Sequence, residues 1–427
     1  MSIPERSLEA LARTTLLIER DIFPTLAPAV SAEALTATRV RLAASDSVAG
    51  TENGQTAIVT SAILCMQMGM EVALDFTEVG LVSPQPPLLG EGLRESLLEL
   101  SKHLITRADI ASDGDFAIAI GRDAAGPGVG ISGNDWGFAL DPSPVGSTGF
   151  SGSLPFGPGL GASAAAAEAF RHVMLSLARQ TGNEPLAEHP VRPARAAAYE
   201  LPSFDYRPVD LGSVDSISAG ALATSALYLL LRLPGLRVRL RLIDDDDGAL
   251  TNLNRYPLLY EQLLRIPKIE ALGTYETEAI AIEGVPLRFE RATLEAIGPL
   301  ASRVIVGVDD IPSRWLAQEV ATGWVGVAAT SHFEVVVSEH TATSPCASCL
   351  HPHDEPGDAE DIPTISFVSS VSGLLLAHRL LRSGMVGADP SYTLAYPLNL
   401  AGERPVSETQ LVPHPACKVS CGASRAA

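Results

Sequence analysis

The sequence has few basic residues and few cysteines for its length. It has 30 Lys and Arg against 50 Asp and Glu, which gives a formal net charge of −20 at pH 7. An acidic surface repels nucleic acid and anionic membrane surfaces, so the composition argues against both as partners. Five cysteines in 427 residues are too few for a disulfide scaffold, and four of them form two close pairs, which favours metal binding.

The chain also lacks a long hydrophobic run. Its longest largely apolar stretch, residues 221–231, is shorter than the roughly 20 residues that a membrane-spanning helix needs. The first residues lack the basic segment and apolar core of a secretory signal. We therefore expect a soluble protein that resides in the cytoplasm.

The length and the 46% content of hydrophobic residues predict two or three structural units. Leucines at helical spacing predict an N-terminal helix within residues 1–30, and mixed patterning predicts an α/β domain over residues 31–190. Prolines and charges without periodicity predict a linker over residues 191–209, which leaves a second domain over residues 210–427.

The second domain opens with the pattern of a nucleotide-binding fold. A strand at residues 214–217, a small-residue turn, an apolar helix at residues 221–233 and a strand at residues 238–243 predict a βαβ unit. A later strand ends at Asp309 and Asp310, at the edge where open parallel sheets bind ligands. The sequence thus predicts an α/β protein. We expect a Rossmann-like open, mostly parallel sheet with flanking helices in the C-terminal domain, and a smaller α/β N-terminal domain.

Polar and charged side chains follow the second strand of this unit. Asp244 ends that strand, where a carboxylate can bind the ribose hydroxyls of a nucleotide. Asn252, Arg255 and Lys268 come next and offer an amide and two cations to a triphosphate. Any one of them alone would more often be a surface charge or a helix cap, so the hypothesis depends on their combination.

In combination these residues resemble a known signature. The run D-D-D-D-G-A-L-T-N-L-N-R-Y at residues 244–256, followed by P-K-I-E at residues 267–270, resembles that of the ubiquitin-activating-like (ThiF/MoeB/HesA-type) adenylyltransferases. V-D-D-I-P-S-R at residues 308–314 resembles the Asp-Asn-x-x-x-Arg segment of the same family. The late cysteine pairs resemble its tetracysteine zinc site, and residues 362–381 resemble its closing helix. The resemblance covers about residues 205–421 and is that of a two-domain bacterial member.

This resemblance implies a role for each residue. It implies ribose contacts for Asp244 and Asp246, phosphate contacts for Asn252, Arg255 and Lys268, a place in the glycine turn for Gly220, and magnesium binding for Asp309. ATP and Mg²⁺ are the implied cofactors, and Asp309, Arg255 and Lys268 are the implied catalytic residues. The attacking carboxylate would need no general base, because it is already ionised at neutral pH.

Two departures from the family pattern leave an alternative open. Residues 218–223 read S-A-G-A-L-A where the family has Gly-x-Gly-x-x-Gly, so Ser218 adds a side chain at a sharp turn of the backbone. Asp310 replaces the usual asparagine and adds negative charge near the expected triphosphate. The alternative is a catalytically weakened family member that holds a peptide or carrier protein for a partner enzyme.

The paired cysteines predict a structural zinc site. Cys346, Cys349, Cys417 and Cys421 offer four sulfurs, the ligand set of many structural zinc sites. One of His351, His353 and His414 could replace a cysteine ligand. A catalytic thiol is the rival interpretation, although a closed zinc site leaves no thiol free.

The remaining expectations concern thioester chemistry and partners. Cys65 lies in an apolar stretch that predicts a buried core cysteine, so we expect adenylation without thioester transfer on this chain. The resemblance implies a small carrier protein, a ubiquitin-like protein or a precursor peptide as partner, and a homodimer. In such dimers an arginine of the partner subunit often reaches the ATP phosphates, and Arg13 and Arg20 are candidates because of their place on the N-terminal helix.

The N-terminal domain is compatible with a degenerate copy of the nucleotide-binding fold and equally with a peptide- or protein-binding module. A nicotinamide-dependent dehydrogenase would share the fold of the second domain. It would not explain Asn252, Arg255, Lys268 or the cysteine pairs.

Overall fold

The computed structural model describes residues 5–186, 195–353, 362–399, 406–419 and 421. These residues form two eight-stranded sheets flanked by helices. Among the helices of the described residues, none has the length and apolar character required to cross a bilayer. The α/β fold predicted from the sequence is confirmed in both parts of the chain.

The N-terminal half contains seven helices and eight strands in its described residues. The helices are α1 (Glu5–Ala10), α2 (Ala12–Asp21), α3 (Pro28–Thr36), α4 (Asp46–Ala49), α5 (Glu52–Gln67), α6 (Leu93–Ser101) and α7 (Phe156–Thr181). The strands are β1 (Arg39–Ala44), β2 (Glu71–Asp75), β3 (Ala108–Asp109), β4 (Phe116–Ile120), β5 (Gly128–Gly133), β6 (Gly137–Asp141), β7 (Gly149–Phe150) and β8 (Ala197–Glu200). Their order is β3-β2-β1-β4-β5-β6-β8, and β7 pairs with β5.

The C-terminal half follows with a second set of elements. Its strands are β9 (Val209–Ile217), β10 (Leu236–Ile243), β11 (Ile280–Val285), β12 (Arg303–Val306), β13 (Trp324–Ser331), β14 (Glu334–His340), β15 (Ser391–Ala395) and β16 (Ser407–Gln410). Its α-helices are α8 (Ala221–Leu230), α9 (Lys268–Gly273), α10 (Leu294–Ile297), α11 (Ile311–Val320), α12 (Ala347–Leu350) and α13 (Ser366–Met385). Short 3₁₀ turns lie at Leu250–Asn252, Glu261–Leu263 and Pro397–Asn399.

The two sheets arrange their first six strands in the same order. In the C-terminal sheet the order is β11-β10-β9-β12-β13-β14-β15-β16, so each sheet places its first strand between its second and its fourth. The first five strands of each sheet are parallel, and the strands after them in that order are antiparallel. The order reverses at the first strand of each half, and ligands of open α/β sheets bind at such a point.

Small residues let long helices pack closely, both within the C-terminal half and between the halves. A Cβ added at Gly373 of α13 would lie 2.3 Å from the Cβ of Ser225 in α8, and a Cβ added at Gly159 of α7 would lie 2.9 Å from Cδ1 of Leu374 in α13. At the junction of the halves, Phe170 of α7 lies near Phe333 and Phe367, with ring centroids 6.0 and 5.7 Å away. One continuous apolar cluster therefore includes residues of both halves.

The segment predicted as a linker holds regular structure in its described part. Strand β8 (Ala197–Glu200) pairs with β6 and completes the N-terminal sheet, and β9 begins at Val209. The N-terminal segment forms three helices, α1 to α3, within residues 5–36. Residues 191–194 of the predicted linker lie outside the described residues.

Candidate functional site

A cavity of about 340 Å³ lies at the carboxyl edge of the C-terminal sheet. Its walls come from the ends of β9, β10 and β12, from the segment after β10, and from α2 of the N-terminal half. Six of the residues predicted from the sequence line it, namely Gly220, Asp244, Asp246, Arg255, Lys268 and Asp309. The seventh, Asn252, is not among the lining residues.

Asp244 holds the turn at the start of α8. Its carboxylate accepts hydrogen bonds from the backbone amides of Ala219, at 2.7 Å, and of Asp246, at 2.8 Å. The side chain is buried, and burial raises the pKa of this carboxyl, although Lys268 and the two amides oppose the rise. Asp244 thus connects the turn after β9 to the acidic segment after β10.

Lys268 is a buried cation between two carboxylates. Its Nζ lies 2.6 Å from Asp246 Oδ2 and 3.9 Å from Asp244 Oδ1. Burial lowers the pKa of Lys268, but the neighbouring Tyr256 and the two aspartates raise it by more, so the net shift is upward. The lysine therefore stays protonated and supplies a permanent positive charge to the cavity wall.

Arg255 and Asn252 belong to the same turn but play different parts in it. Arg255 lines the cavity, and its Nη1 donates to the carbonyl of Thr251 and to Asn254 Oδ1, both at 2.7 Å. The buried Asn252 accepts a hydrogen bond from the amide of Ala249 at 2.9 Å through Oδ1. Asn252 thus shapes the turn that presents Arg255.

Asp309 and Asp310 follow β12 and face solvent. The Asp310 carboxylate accepts from the amide of Ser313 at 2.7 Å and so caps the N-terminus of α11, where negative charge is favourable. The buried guanidinium of Arg314 donates to the carbonyls of Val308, at 3.1 and 3.0 Å, and of Asp309, at 3.3 Å. Arg314 therefore fixes the loop that carries Asp309.

Ser218 occupies a backbone conformation that glycine would adopt without strain. Its φ is 81°, and a non-glycine residue in this region costs about 1 kcal/mol. The Ser218 hydroxyl accepts a hydrogen bond from the amide of Gly220 at 2.9 Å. One amide at the start of α8 thus already has an acceptor within the chain.

Arg13 comes to this cavity from the other half of the chain. It lies on α2, lines the cavity, and donates from Nη1 to the carbonyl of Ile362 at 3.2 Å. Arg20, the other arginine considered from the sequence, is not among the lining residues. The sequence signal for Arg13 was only its place on a helix, because more than 200 residues separate it from the rest of the site.

At the corresponding strand end of the N-terminal half, two arginines donate hydrogen bonds to the carboxylate. Asp75 ends β2, the counterpart of β10. Its carboxylate accepts from Arg41 Nε at 2.8 Å and from Arg122 Nη1 at 3.2 Å. In this half the carboxylate at the strand end is therefore paired with two guanidinium groups of the same chain.

The four late cysteines converge at a second location. The Sγ atoms of Cys346, Cys349, Cys417 and Cys421 all lie within 4.8 Å of one another, and no disulfide joins them. Individual Sγ–Sγ distances are 3.9, 3.3 and 3.6 Å, close to the edge of about 3.8 Å that a zinc–sulfur bond of about 2.3 Å gives in a tetrahedron. The amide of Lys418 donates to Ser348 Oγ at 2.7 Å and joins the two cysteine segments. The geometry fits a tetrahedral metal site.

Histidines near these cysteines stand apart from the cluster. His351, His353 and His414 are not in the group of converging ligand atoms among the described residues. Cys65 lies far from this cluster in sequence, is fully buried in α5, and has its pKa raised to about 12 by burial. Its thiol is therefore protonated at neutral pH and is a poor nucleophile.

Comparisons with known proteins give distant likenesses. No family model matches the sequence. The uncharacterized protein y4jF of Sinorhizobium fredii (strain NBRC 101917 / NGR234) is 28% identical over 215 residues, which are 49% of this chain and 40% of that protein. The chain therefore spans about two fifths of the length of this curated relative.

Solved structures give likenesses at lower identity. A crystal structure of E. coli MccB with ATP is 16% identical, with a TM-score of 0.40, and the match covers 49% of this chain and 66% of MccB. A structure of PaaA is also 16% identical, with a TM-score of 0.37, over 47% of this chain and 73% of PaaA. Likenesses this distant transfer no activity, so a function has to be argued from the cavity itself.

Proposed function

We propose that the chain is an ATP-dependent adenylyltransferase of the ubiquitin-activating-like family. It would activate the C-terminal carboxylate of a small carrier protein, a ubiquitin-like protein or a peptide as an acyl-adenylate, without thioester transfer. The observation that carries the proposal is one cavity lined by Asp244 at a strand end, by the cations Arg255 and Lys268, and by Asp309.

The proposed roles follow from the chemistry of the cavity wall. Asp244 and Asp246 would bind the ribose hydroxyls, because carboxylate oxygens at this strand end accept hydrogen bonds from a nucleotide sugar. Arg255 and Lys268 would bind the phosphates, and Lys268 would then exchange its contact with Asp246 for a phosphate oxygen. Asn252 would act on the phosphates through the turn it shapes. Arg13 adds a further guanidinium to this wall.

In the proposed reaction a carboxylate oxygen attacks the α-phosphorus of ATP. A new bond forms between that oxygen and phosphorus, and the bond to pyrophosphate breaks. The guanidinium groups and the lysine stabilise the negative charge that grows on the leaving pyrophosphate. The cavity residues bind and orient the two reactants, which accounts for much of the rate in reactions of this kind.

Asp309 is the residue that would hold magnesium. Its carboxylate is exposed on the cavity wall, and Mg²⁺ prefers such oxygen ligands. When bound, the ion would neutralise part of the phosphate charge. Arg314, which holds the carbonyl of Asp309, would keep this carboxylate in place.

Zinc at the four cysteines would have a structural role. It would connect the segment with Cys417 and Cys421 to the loop with Cys346 and Cys349, and it would leave no thiol free for catalysis. The buried, protonated Cys65 supports a reaction that ends at the adenylate. We further propose that the protein works in the cytoplasm, where such thiols stay reduced.

The homodimer expected from the resemblance stays a prediction. The two halves share the order of their first six strands, and Arg13 of the N-terminal half lines the cavity of the C-terminal half. A single chain therefore already brings two similar folds together around one cavity. Sedimentation of the protein with and without ATP would determine whether a second chain is needed.

The test of this function is exchange of labelled pyrophosphate into ATP in the presence of candidate peptides and carrier proteins. We expect Asp309→Asn to abolish exchange. The matched control is Asp247→Asn, because Asp247 is an exposed aspartate of the acidic run that does not line the cavity. The proposal would be wrong if no carboxylate partner supported exchange, or if both variants lost it equally.

Ser218 favours a second candidate, a scaffold that holds a peptide or carrier protein for a partner enzyme. Its φ of 81° strains the turn before α8. Its hydroxyl accepts a hydrogen bond from the amide of Gly220, so one amide fewer at the start of α8 is free to bind a phosphate. Calorimetry that detects no ATP binding to the wild type, together with tight binding of a peptide encoded by a neighbouring gene, would favour the scaffold. A gain of ATP affinity in Ser218→Gly would show that the serine hinders the nucleotide.

A further inference from the structure

Asn254 joins the two halves of the chain beside the candidate nucleotide cavity. Its side chain is fully buried. Its Nδ2 donates to Thr14 Oγ1 at 2.9 Å and to the carbonyl of Thr364 at 3.2 Å, and its Oδ1 accepts from Arg255 Nη1 at 2.7 Å. The amide thus uses both of its N–H donors and its acceptor, each on a different segment of the chain.

All three segments reach the cavity. Thr14 follows Arg13 on α2, and Arg13 in turn donates to the carbonyl of Ile362. Ile362 and Thr364 line the cavity together with Arg13 and Arg255. A single buried amide therefore fixes the position of the helix that carries Arg13 relative to the guanidinium of Arg255.

The burial of Asn254 makes this connection hard to break. A buried amide that loses its partners keeps its desolvation penalty, so movement of α2 away from Arg255 is unfavourable. Two other bonds between the halves, within the described part of the chain, lack this relation to cavity cations. Thr60 Oγ1 and the Tyr228 hydroxyl lie 2.9 Å apart, for example, and Ser366 Oγ donates to the carbonyl of Leu64.

We propose that Asn254 is a positioning residue that couples α2 to Arg255, so that the guanidinium groups of Arg13 and Arg255 meet one triphosphate together. The inference rests on the proposed function, because the two arginines share a ligand only if the cavity binds a nucleotide. Asn254 itself is not among the residues that line the cavity, so its effect passes through the two cations.

The mildest test is Thr14→Val, which keeps the shape of the side chain and removes the hydroxyl that accepts from Asn254. Thr15→Val is the matched control, because Thr15 is a buried threonine whose hydroxyl donates within its own helix, to the carbonyl of Ala12 at 3.0 Å. Loss of one hydrogen bond predicts about a three- to ten-fold weaker affinity for magnesium–ATP in Thr14→Val by calorimetry. We expect the affinity of Thr15→Val to match the wild type. Thr14→Val leaves a buried N–H of Asn254 without its acceptor, so its melting temperature should also fall modestly.

A double-mutant cycle separates positioning from a general structural role. If Asn254 acts through Arg13, then Thr14→Val weakens ATP binding in the wild type but changes it little in an Arg13→Gln background. A structural role would give the same fold-change in both backgrounds and would overturn the inference. ATP titrated to millimolar concentration keeps the weaker variants measurable.

Further outcomes distinguish this inference from the proposed function. A wild-type protein that binds no ATP would overturn the proposed function and, with it, this inference. ATP binding by the wild type that Thr14→Val leaves unchanged would overturn the inference alone. Asn254→Leu, which removes all three hydrogen bonds at once, should weaken ATP binding by more than Thr14→Val if it folds, and Thr14→Val decides the question if it does not.

Discussion

The ammonium group of Lys268 lies 2.6 Å from the carboxylate of Asp246, although the lysine is buried and the aspartate is largely exposed. The exposed partner can move into solvent, whereas the lysine is fixed at the start of α9. A ligand phosphate can therefore replace Asp246 at the lysine at little cost. Substitution of Lys268 should therefore change ATP affinity more than substitution of Asp246.

We predict that Lys268→Met weakens ATP binding by about 10- to 100-fold, because it removes a desolvated charge that would face the phosphates. Asp246→Asn should change ATP affinity by less than Lys268→Met, because the aspartate competes with phosphate for the lysine and contributes only ribose contacts. Calorimetry with magnesium–ATP measures both affinities. Equal losses in the two variants would contradict the assignment of Lys268 to the phosphates.

The cysteine cluster predicts one zinc per chain. Metal analysis of purified protein should find it, and Cys346→Ser or Cys417→Ser should lose it, because three sulfurs leave the tetrahedron open. Cys65→Ser is the control and should keep the zinc, since Cys65 lies in α5, outside the cluster. Chelation should lower the melting temperature, and a preparation that holds no zinc yet melts at the same temperature would contradict a structural role.

Arg232 is a buried arginine between the halves and does not line the candidate cavity, so its substitution should lower the stability of the protein and leave the cavity residues in place. Arg232 donates to Gln85 Oε1 at 2.9 Å and to the carbonyls of Tyr228, at 2.7 Å, and Pro86, at 2.5 Å. Arg232→Ala would leave these acceptors buried without the donor, so we expect a loss of about 3 kcal/mol or more in the free energy of unfolding.

Arg207 provides the matched control for this prediction. It pairs with Asp205 on the surface, and both side chains are exposed. We expect Arg207→Ala to change the free energy of unfolding by less than about 0.5 kcal/mol. Urea denaturation compares the two variants, and similar midpoints would show that Arg232 does not hold the halves together.

His378 predicts acid sensitivity. Burial among Trp136, Phe156 and Phe204 lowers the pKa of this histidine to about 4, against an ordinary value of 6.5. Between these two pH values the unfolded chain binds a proton that the folded chain does not, so stability falls as the pH drops through this window and levels off below it. The total effect is on the order of 3 kcal/mol.

His378→Gln keeps a donor for the carbonyl of Pro202, which His378 Nε2 contacts at 3.0 Å, and removes the titrating group. We expect this variant to lose part of the decline in melting temperature between pH 6.5 and pH 4. His103→Gln serves as control because His103 lies in an exposed contact with Gln262. The same decline in all three proteins would show that other groups cause the acid sensitivity.

Local patterns were enough to predict the residues at the strand ends. Asp244 follows a strand in which apolar residues alternate with arginines, and Asp309 follows a mostly apolar strand. Strands of a parallel sheet end at one edge, so the approach of these two residues follows from the fold. Lys268 and Arg255 come within a short distance in sequence of Asp244. The four cysteines were predictable as a cluster because two close pairs of cysteines are a common ligand pattern for a metal ion.

Other features depend on contacts that cannot be derived from the spacing of residues in the sequence. Arg13 reaches the cavity only because α2 packs against the C-terminal half, and its partner segment begins more than 300 residues later. The resemblance implies phosphate contacts for Asn252, which stay a prediction, and the structure adds a hydrogen bond to its Oδ1 within its own turn. Asp310 was predicted as a perturbing charge, and the structure uses it as the cap of α11. In the last two cases a nearby backbone amide donates a hydrogen bond to the side chain.

The common order of the first six strands in the two sheets follows only one of the two alternatives that the sequence leaves open for the N-terminal domain, a degenerate copy of the nucleotide-binding fold. Asp75 corresponds to Asp244 by its place at the end of the second strand, yet Arg41 and Arg122 surround it, and no glycine-rich signature accompanies it. Strand order depends on pairing between distant segments, which composition and periodicity do not record.

The cysteine cluster has a consequence for the order of events during synthesis. Cys346 and Cys349 leave the ribosome about 70 residues before Cys417 and Cys421, so the four thiols can meet only when nearly all of the C-terminal half has emerged. Both sheets are largely complete by then, because only β16 and the last cysteines follow β15 among the described residues. Closure of the cluster would therefore require both cysteine pairs, and a product of translation that stops before Cys417 would be recognisable by its lack of metal.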